Sequence, residues 1–146
     1  MIKKDSKTIL KFGRIKINES QIFYKRKFVF AFVNLRPFLP GHVLLSPTRV
    51  EKYYSNLTET ELIELWISAK NIAENLKKFY HTDSVQINIQ DGENSGQTVE
   101  HCHLHIIPVP NNYQPNNIDG DGEIKNRTIE EMAKEAEEYR NNFVFN

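Results

Sequence analysis

The chain predicts an α+β protein in which antiparallel strands form one sheet and two helices lie apart from it. Three observations carry that prediction. Aromatic and β-branched runs follow one another early in the chain, punctuated by Pro, Gly and Asn, before any helical period appears. Two stretches with apolar residues at helical spacing each open on a Thr-x-x-Glu pattern, the sequence mark of a helix start. Late in the chain the run Val99-Glu100-His101-Cys102-His103-Leu104-His105-Ile106-Ile107-Pro108 alternates strictly, which is strand periodicity.

In order, Phe12 to Ile17 and Gln21 to Lys25 read as a hairpin around Asn18-Glu19-Ser20, and Phe28 to Leu35 as a strand that Arg36-Pro37 stops. Pro40-Gly41 makes a turn into a strand from His42 to Ser46. Thr58 with Glu61 then caps a helix whose Leu62, Leu65, Trp66, Ala69, Ile72, Ala73, Leu76 and Phe79 form one buried face. Val85 to Ile89 alternates as a strand, Gln90 to Gln97 is a Gly-containing loop, and the histidine strand follows. Residues 109–127, rich in Pro, Asn and Gly, read as a mobile loop. Within it Asn117, Asp119, Asp121 and Gly122 nearly match a calcium loop, but the twelfth position is Thr128 where a bidentate glutamate belongs, so calcium binding is not expected. Thr128 instead caps a last helix over 128–143, with Glu131 completing a second box and Met132, Ala133, Ala136 and Tyr139 buried.

The alternation places His101, His103 and His105 on one face of a strand, about 6.6 Å apart, with Cys102, Leu104 and Ile106 on the other. Such a row has three readings. A solvated strand face is the bland one, and it fits poorly with three of five histidines falling within five residues. Zinc requires donors that converge at about 2.0–2.1 Å, which a third histidine four residues along one strand does not readily do. Nucleophilic catalysis at phosphorus suits the row best, since neutral imidazole is abundant at pH 7 and its phosphoramidate adduct hydrolyses readily.

The run from His101 to Ile107 resembles the signature of the histidine-triad (HIT) family, His-φ-His-φ-His-φ-φ with φ apolar, Cys102 standing at one φ. Phe12-Gly13, Phe30 to Asn34, Pro40-Gly41-His42-Val43-Leu44, Gln90-Asp91-Gly92, Gly96-Gln97-Thr98-Val99, Pro108 and Glu130-Glu131-Met132-Ala133 extend the likeness toward the fragile-histidine-triad branch of dinucleoside polyphosphate hydrolases. The resemblance implies an antiparallel five-stranded sheet with two helices, and a homodimer joined edge to edge. It also implies hydrolysis of dinucleoside polyphosphates, diadenosine triphosphate foremost, through a covalent nucleotidyl-histidine. Two other outputs go with the same site: adenosine phosphoramidate hydrolysis, as in the neighbouring branch, and a slow-turnover nucleotide-binding signalling module.

By the same resemblance His103 is the nucleophile, His101 orders the row and His105 steadies the leaving oxygen. Asn34 holds ribose and Gln90 the nucleotide, while Gln97 and the backbone of Gly96, Thr98 and Val99 meet phosphate. Phe12, Ile17, Phe32 and Leu44 wall the base, and His42 supports the row without attacking. Ile15 and Val109 depart from the branch, which carries histidine and arginine there.

Composition fits one small domain over 1–146. Nineteen basic and nineteen acidic residues balance, so no nucleic-acid or membrane partner is indicated. A single cysteine excludes an intrachain disulfide and multi-cysteine zinc sites. No protein-bound cofactor or metal is expected, only Mg²⁺ accompanying substrate phosphates. The first residues lack an apolar stretch, so cytoplasmic residence is the expectation.

Overall fold

Alternating side chains on successive strands sort themselves onto two faces of one sheet. The computed structural model describes residues 10–115 and 125–145. A small hairpin comes first, β1 (Lys11–Phe12) paired with β2 (Ile15–Lys16). Then come β3 (Ile22–Lys25), β4 (Val29–Val33), β5 (Val43–Pro47), helix α1 (Glu59–Tyr80), β6 (Ser84–Ile89), β7 (Leu104–Val109) and helix α2 (Ile129–Asn142). Strands β3 to β7 form an antiparallel sheet in the order β3-β4-β5-β7-β6. The helix crosses from β5 to β6 and leaves a slot that β7 fills, so His105 lies between Leu44 on one side and Asn88 on the other.

Val29, Ala31, Val33, Val43, Leu45, Leu104 and Ile106 point to one side, against Leu65, Ile72 and Leu76 of α1 and Met132, Ala136 and Tyr139 of α2. Phe30, Phe32 and Leu44 point to the other, where Leu10, Phe12 and Ile22 meet them. The β1–β2 hairpin therefore covers part of the face opposite the helices. Among the described residues no helix is long and apolar enough to cross a membrane.

Several expectations change. The hairpin turns at Gly13, in the left-handed region at φ +62°, and not at residues 18–20. There Asn18 caps a single 3-10 turn, its Oδ1 accepting the Ser20 N–H at 3.0 Å, which is the local bond a short Asx side chain favours over a ladder. Trp66 is not in the core: it is 42 % exposed and its indole N–H donates to the Tyr54 hydroxyl at 3.2 Å. The histidine run is a strand only from Leu104 onward. Before it, the His101 N–H turns back to the Val99 carbonyl at 2.8 Å and the Cys102 N–H reaches Glu51 O at 2.6 Å. Val109, expected in the loop, still pairs with Ser84. The calcium-like residues Asn117, Asp119, Asp121 and Gly122 lie outside the described residues, as does the middle of the 109–127 segment.

Both helix caps form at the expected threonines. Thr58 and Glu61 make the reciprocal box. At α2 the Thr128 hydroxyl accepts the Glu131 N–H at 3.1 Å without the return bond, so that box is only half made.

Gly41 leads the chain into β5 at φ +88°, and a Cβ there would overlap the Tyr80 ring and approach Pro108 Cγ to 2.7 Å. Gly41→Ala is expected to destabilise the fold by about 2 kcal/mol or more, combining backbone strain with overpacking. Urea unfolding of the two proteins measures it, and an unchanged midpoint refutes it.

Candidate active site

Backbone groups, whose donor and acceptor roles are fixed, settle the state of each imidazole. The Gly13 N–H donates to His101 Nδ1 at 2.8 Å, so the proton of that ring lies on Nε2, which donates to the Pro47 carbonyl at 2.8 Å. Both nitrogens of His101 are thus used, and no lone pair is left for a metal. His103 has the opposite tautomer. Its Nδ1 lies 2.7 Å from the His101 carbonyl, which only accepts, so Nδ1 carries the proton and Nε2 keeps the lone pair.

A second chain of fixed polarity ends on His105. The Phe38 N–H donates to His42 Nδ1 at 2.9 Å, which puts the His42 proton on Nε2. That proton is donated to His105 Nδ1 at 2.9 Å, leaving His105 Nε2–H to donate to Gln90 Oε1 at 3.1 Å. The His103 and His105 rings pack edge to face with centroids 4.8 Å apart. His103 also meets the Phe12 ring at 4.7 Å.

Burial favours the neutral form of all four rings. Burial, then the neighbouring His105 and His103, lowers the His42 pKa to about 4. Burial, then His103, lowers that of His105 to about 4. His101 and His103 are lowered by burial, against a raising contribution from their backbone bonds. Cys102 faces the helix-side core, where burial pushes its thiol up to about 11, so it is no competing nucleophile.

In front of His103 and His105 opens a cavity of about 570 Å³. Phe12, Ile17, Phe32 and Leu44 line it together with Asn34, Thr98 and Val99. Its volume is that of a drug-sized ligand site and its wall is mainly apolar. Gln90 is joined to the cavity through His105, and its side chain lies over Gly96, where a Cβ would come within 2.5 Å of Nε2. Gln97 stands differently from its expected role. It is buried, its Oε1 accepts the Gly92 N–H at 2.8 Å and its Nε2 donates to the Lys52 carbonyl at 3.0 Å, so it braces the loop from inside. His42 meets His105 through Nε2, 2.9 Å from His105 Nδ1.

Sequence reasoning missed Gly13 and Pro47 as partners of His101, and Met132, Lys16 and Gln21 as lining residues. A glycine inside the alternating segment Phe12 to Ile17 was the one available signal for Gly13. Carbonyl acceptors leave no mark in a sequence.

A family model described as "HIT domain" matches residues 16–112. The chain is 43% identical over 133 residues to a bis(5'-adenosyl)-triphosphatase of Dictyostelium discoideum, covering 88% of this chain and 89% of that one. It is 36% identical over 149 residues to a bifunctional bis(5'-adenosyl)-triphosphatase/adenylylsulfatase of Arabidopsis thaliana, covering 90% and 83%. Among solved structures, a diadenosine triphosphate hydrolase of Plasmodium falciparum in complex with cyclomarin A superposes with TM-score 0.82 at 32% identity, over 97% of this chain and 88% of that one.

Histidines whose pKa lies below the ordinary 6.5 in the folded chain take up protons on unfolding. Their contribution favours the fold above pH 6.5 and is lost as pH falls toward 4. The urea midpoint is therefore expected to drop across that window, and nitrogen-15 spectra should show His42 and His105 still neutral at pH 5.5. Charged rings at that pH would overturn the assignment.

Proposed function

The chain belongs to the HIT-domain family, and from that premise we propose that it hydrolyses dinucleoside polyphosphates, diadenosine triphosphate foremost, with His103 as nucleophile. The observation that carries the reading is the fixed tautomer of His103. A backbone carbonyl holds its Nδ1 proton, so the only lone pair of the ring belongs to Nε2, at the wall of the cavity.

In the first step Nε2 attacks the α-phosphorus in line. A P–N bond forms and the P–O bond to the bridging oxygen breaks, with that oxygen keeping the electron pair as the nucleoside diphosphate leaves. The ring gains positive charge as the bond forms, and the His101 carbonyl at 2.7 Å, already pointed at Nδ1–H, stabilises that charge without rearranging. The His105 Nε2–H, now on Gln90 Oε1, is positioned to steady the leaving oxygen. Water then attacks the phosphoramidate, the P–N bond breaks and the nucleoside monophosphate departs.

Asn34 is the ribose contact in this reading. Gln90 and the backbone of Gly96, Thr98 and Val99 meet phosphate oxygens, with Gln97 as their brace, and Phe12, Ile17, Phe32 and Leu44 hold the base. No protein-bound cofactor is required, and Mg²⁺ enters with the substrate's phosphates. The same reading includes an edge-joined homodimer, supported by the family resemblance, and residence in the cytoplasm.

Diadenosine triphosphate, diadenosine tetraphosphate and adenosine phosphoramidate should be compared as substrates for the wild type and His103→Asn. The triphosphate is expected to turn over fastest, and the substitution to lower kcat by more than about a thousandfold. A nucleotidyl group trapped during turnover should map to His103 by mass spectrometry. A label on His101 or His105, or faster phosphoramidate cleavage, would overturn the proposal.

A further inference from the structure

The last ladder pair of β4 is Val33 with Val43, and beyond it Asn34, Leu35 and Arg36 run along the cavity with no sheet partner. The segment just before α2 holds them instead. The Arg127 N–H donates to Leu35 O at 3.1 Å, and the Arg36 Nε donates to Asn126 Oδ1 at 2.5 Å. The Arg127 guanidinium forks onto one atom, the Asn34 carbonyl, with Nε at 3.1 Å and Nη2 also donating.

From its other side the same guanidinium pairs with Glu135 of α2 at 2.6 Å. Glu135 in turn accepts the Tyr139 hydroxyl at 2.5 Å, and that hydroxyl meets Tyr80 at 2.7 Å. The pair is mostly shielded from water, with side-chain exposures of 22% and 12%. A shielded ion pair is weak evidence for stability, since desolvation offsets most of its Coulomb gain. Its rigid fork suits position instead.

We propose that Arg127 is a positioning residue for ribose recognition: it fixes the Asn34 backbone so that the Asn34 amide meets the cis-diol of the bound nucleoside. The inference rests on the proposed function above. The Asn34 amide is already oriented at one end, its Oδ1 accepting the Arg36 N–H at 2.9 Å, which leaves its Nδ2 as the donor for the ribose. With its backbone released, the same amide moves away from the ribose. Helix α2 thus serves the site twice, lining the cavity with Met132 and fixing its ribose edge through Arg127.

The test compares diadenosine triphosphate with its analogue lacking the ribose 2′ and 3′ hydroxyls, for the wild type, Arg127→Ala, Arg127→Lys and Asn34→Ala. For Arg127→Ala the KM of the natural substrate should rise about tenfold with kcat changed less than about threefold, the mark of lost binding that is equal in ground and transition states. The KM of the hydroxyl-free analogue should not move. Lysine keeps the charge opposite Glu135 without the fork, so Arg127→Lys should give a smaller rise on the natural substrate only. The double variant Asn34→Ala/Arg127→Ala should be no worse than Asn34→Ala alone.

Equal losses on both substrates, or additive losses in the double variant, would show Arg127 to be merely structural and overturn the proposal. Should Arg127→Ala fail to fold, Arg127→Lys and Glu135→Gln are read by the same criterion. A wild type that cleaves neither substrate defeats the functional reading itself, a separate outcome.

Discussion

The site depends on one saturated ring. His101 is fully buried, and it joins the hairpin through the Gly13 N–H to the end of β5 through the Pro47 carbonyl. Its own carbonyl then dictates the tautomer of His103. Phe12 packs on both rings, so the wall of the cavity and the His103 ring share one support. A buried histidine has no room for an unpaired nitrogen, because leaving one costs about 1–3 kcal/mol. Position 101 therefore demands a side chain with one donor and one acceptor at opposite ends of a flat ring.

Much of this was legible before any coordinates. Phe28 to Leu35 and His42 to Ser46 read as strands from their aromatic and β-branched residues, whereas the division of Phe30, Phe32 and Leu44 from Val29, Ala31, Val33 and Leu45 between two faces comes only with the fold, since both stretches are apolar throughout. Thr58 and Thr128 marked both helix starts. The spacing of His101, His103 and His105 singled out the site, and the apolar residues between them identified its buried side.

The misses have physical causes. Alternation does not require ladder bonds: His101 and His103 keep the two-residue rhythm in a turn because the backbone of Glu51 and Val99 takes their segment's N–H groups. Gln97 has a phosphate contact only by resemblance to the family, and no local pattern shows that its amide also ties the Gly92 N–H to the Lys52 carbonyl. Spacing alone puts Trp66 on the buried face, yet one turn of a helix offers more positions than a sheet has room to cover. The cavity edge at residues 34–36, laced by residues 126–127, joins parts of the chain about ninety positions apart, and no local pattern records such a contact.

The placement of β7 bears on how the molecule comes into being. Its neighbours β5 and β6 are made earlier, and α1 carries the chain between them over an empty lane one strand wide. Until residues 104–109 arrive, both strands flanking that lane present unpaired N–H and C=O groups, the kind of edge that recruits other chains. Pairing Leu44 with His105 also closes a loop of some sixty residues, a costly step that comes late. Synthesis thus delivers β7 as the piece that completes the sheet, and a chain halted before it would lack His105 and leave two strand edges open.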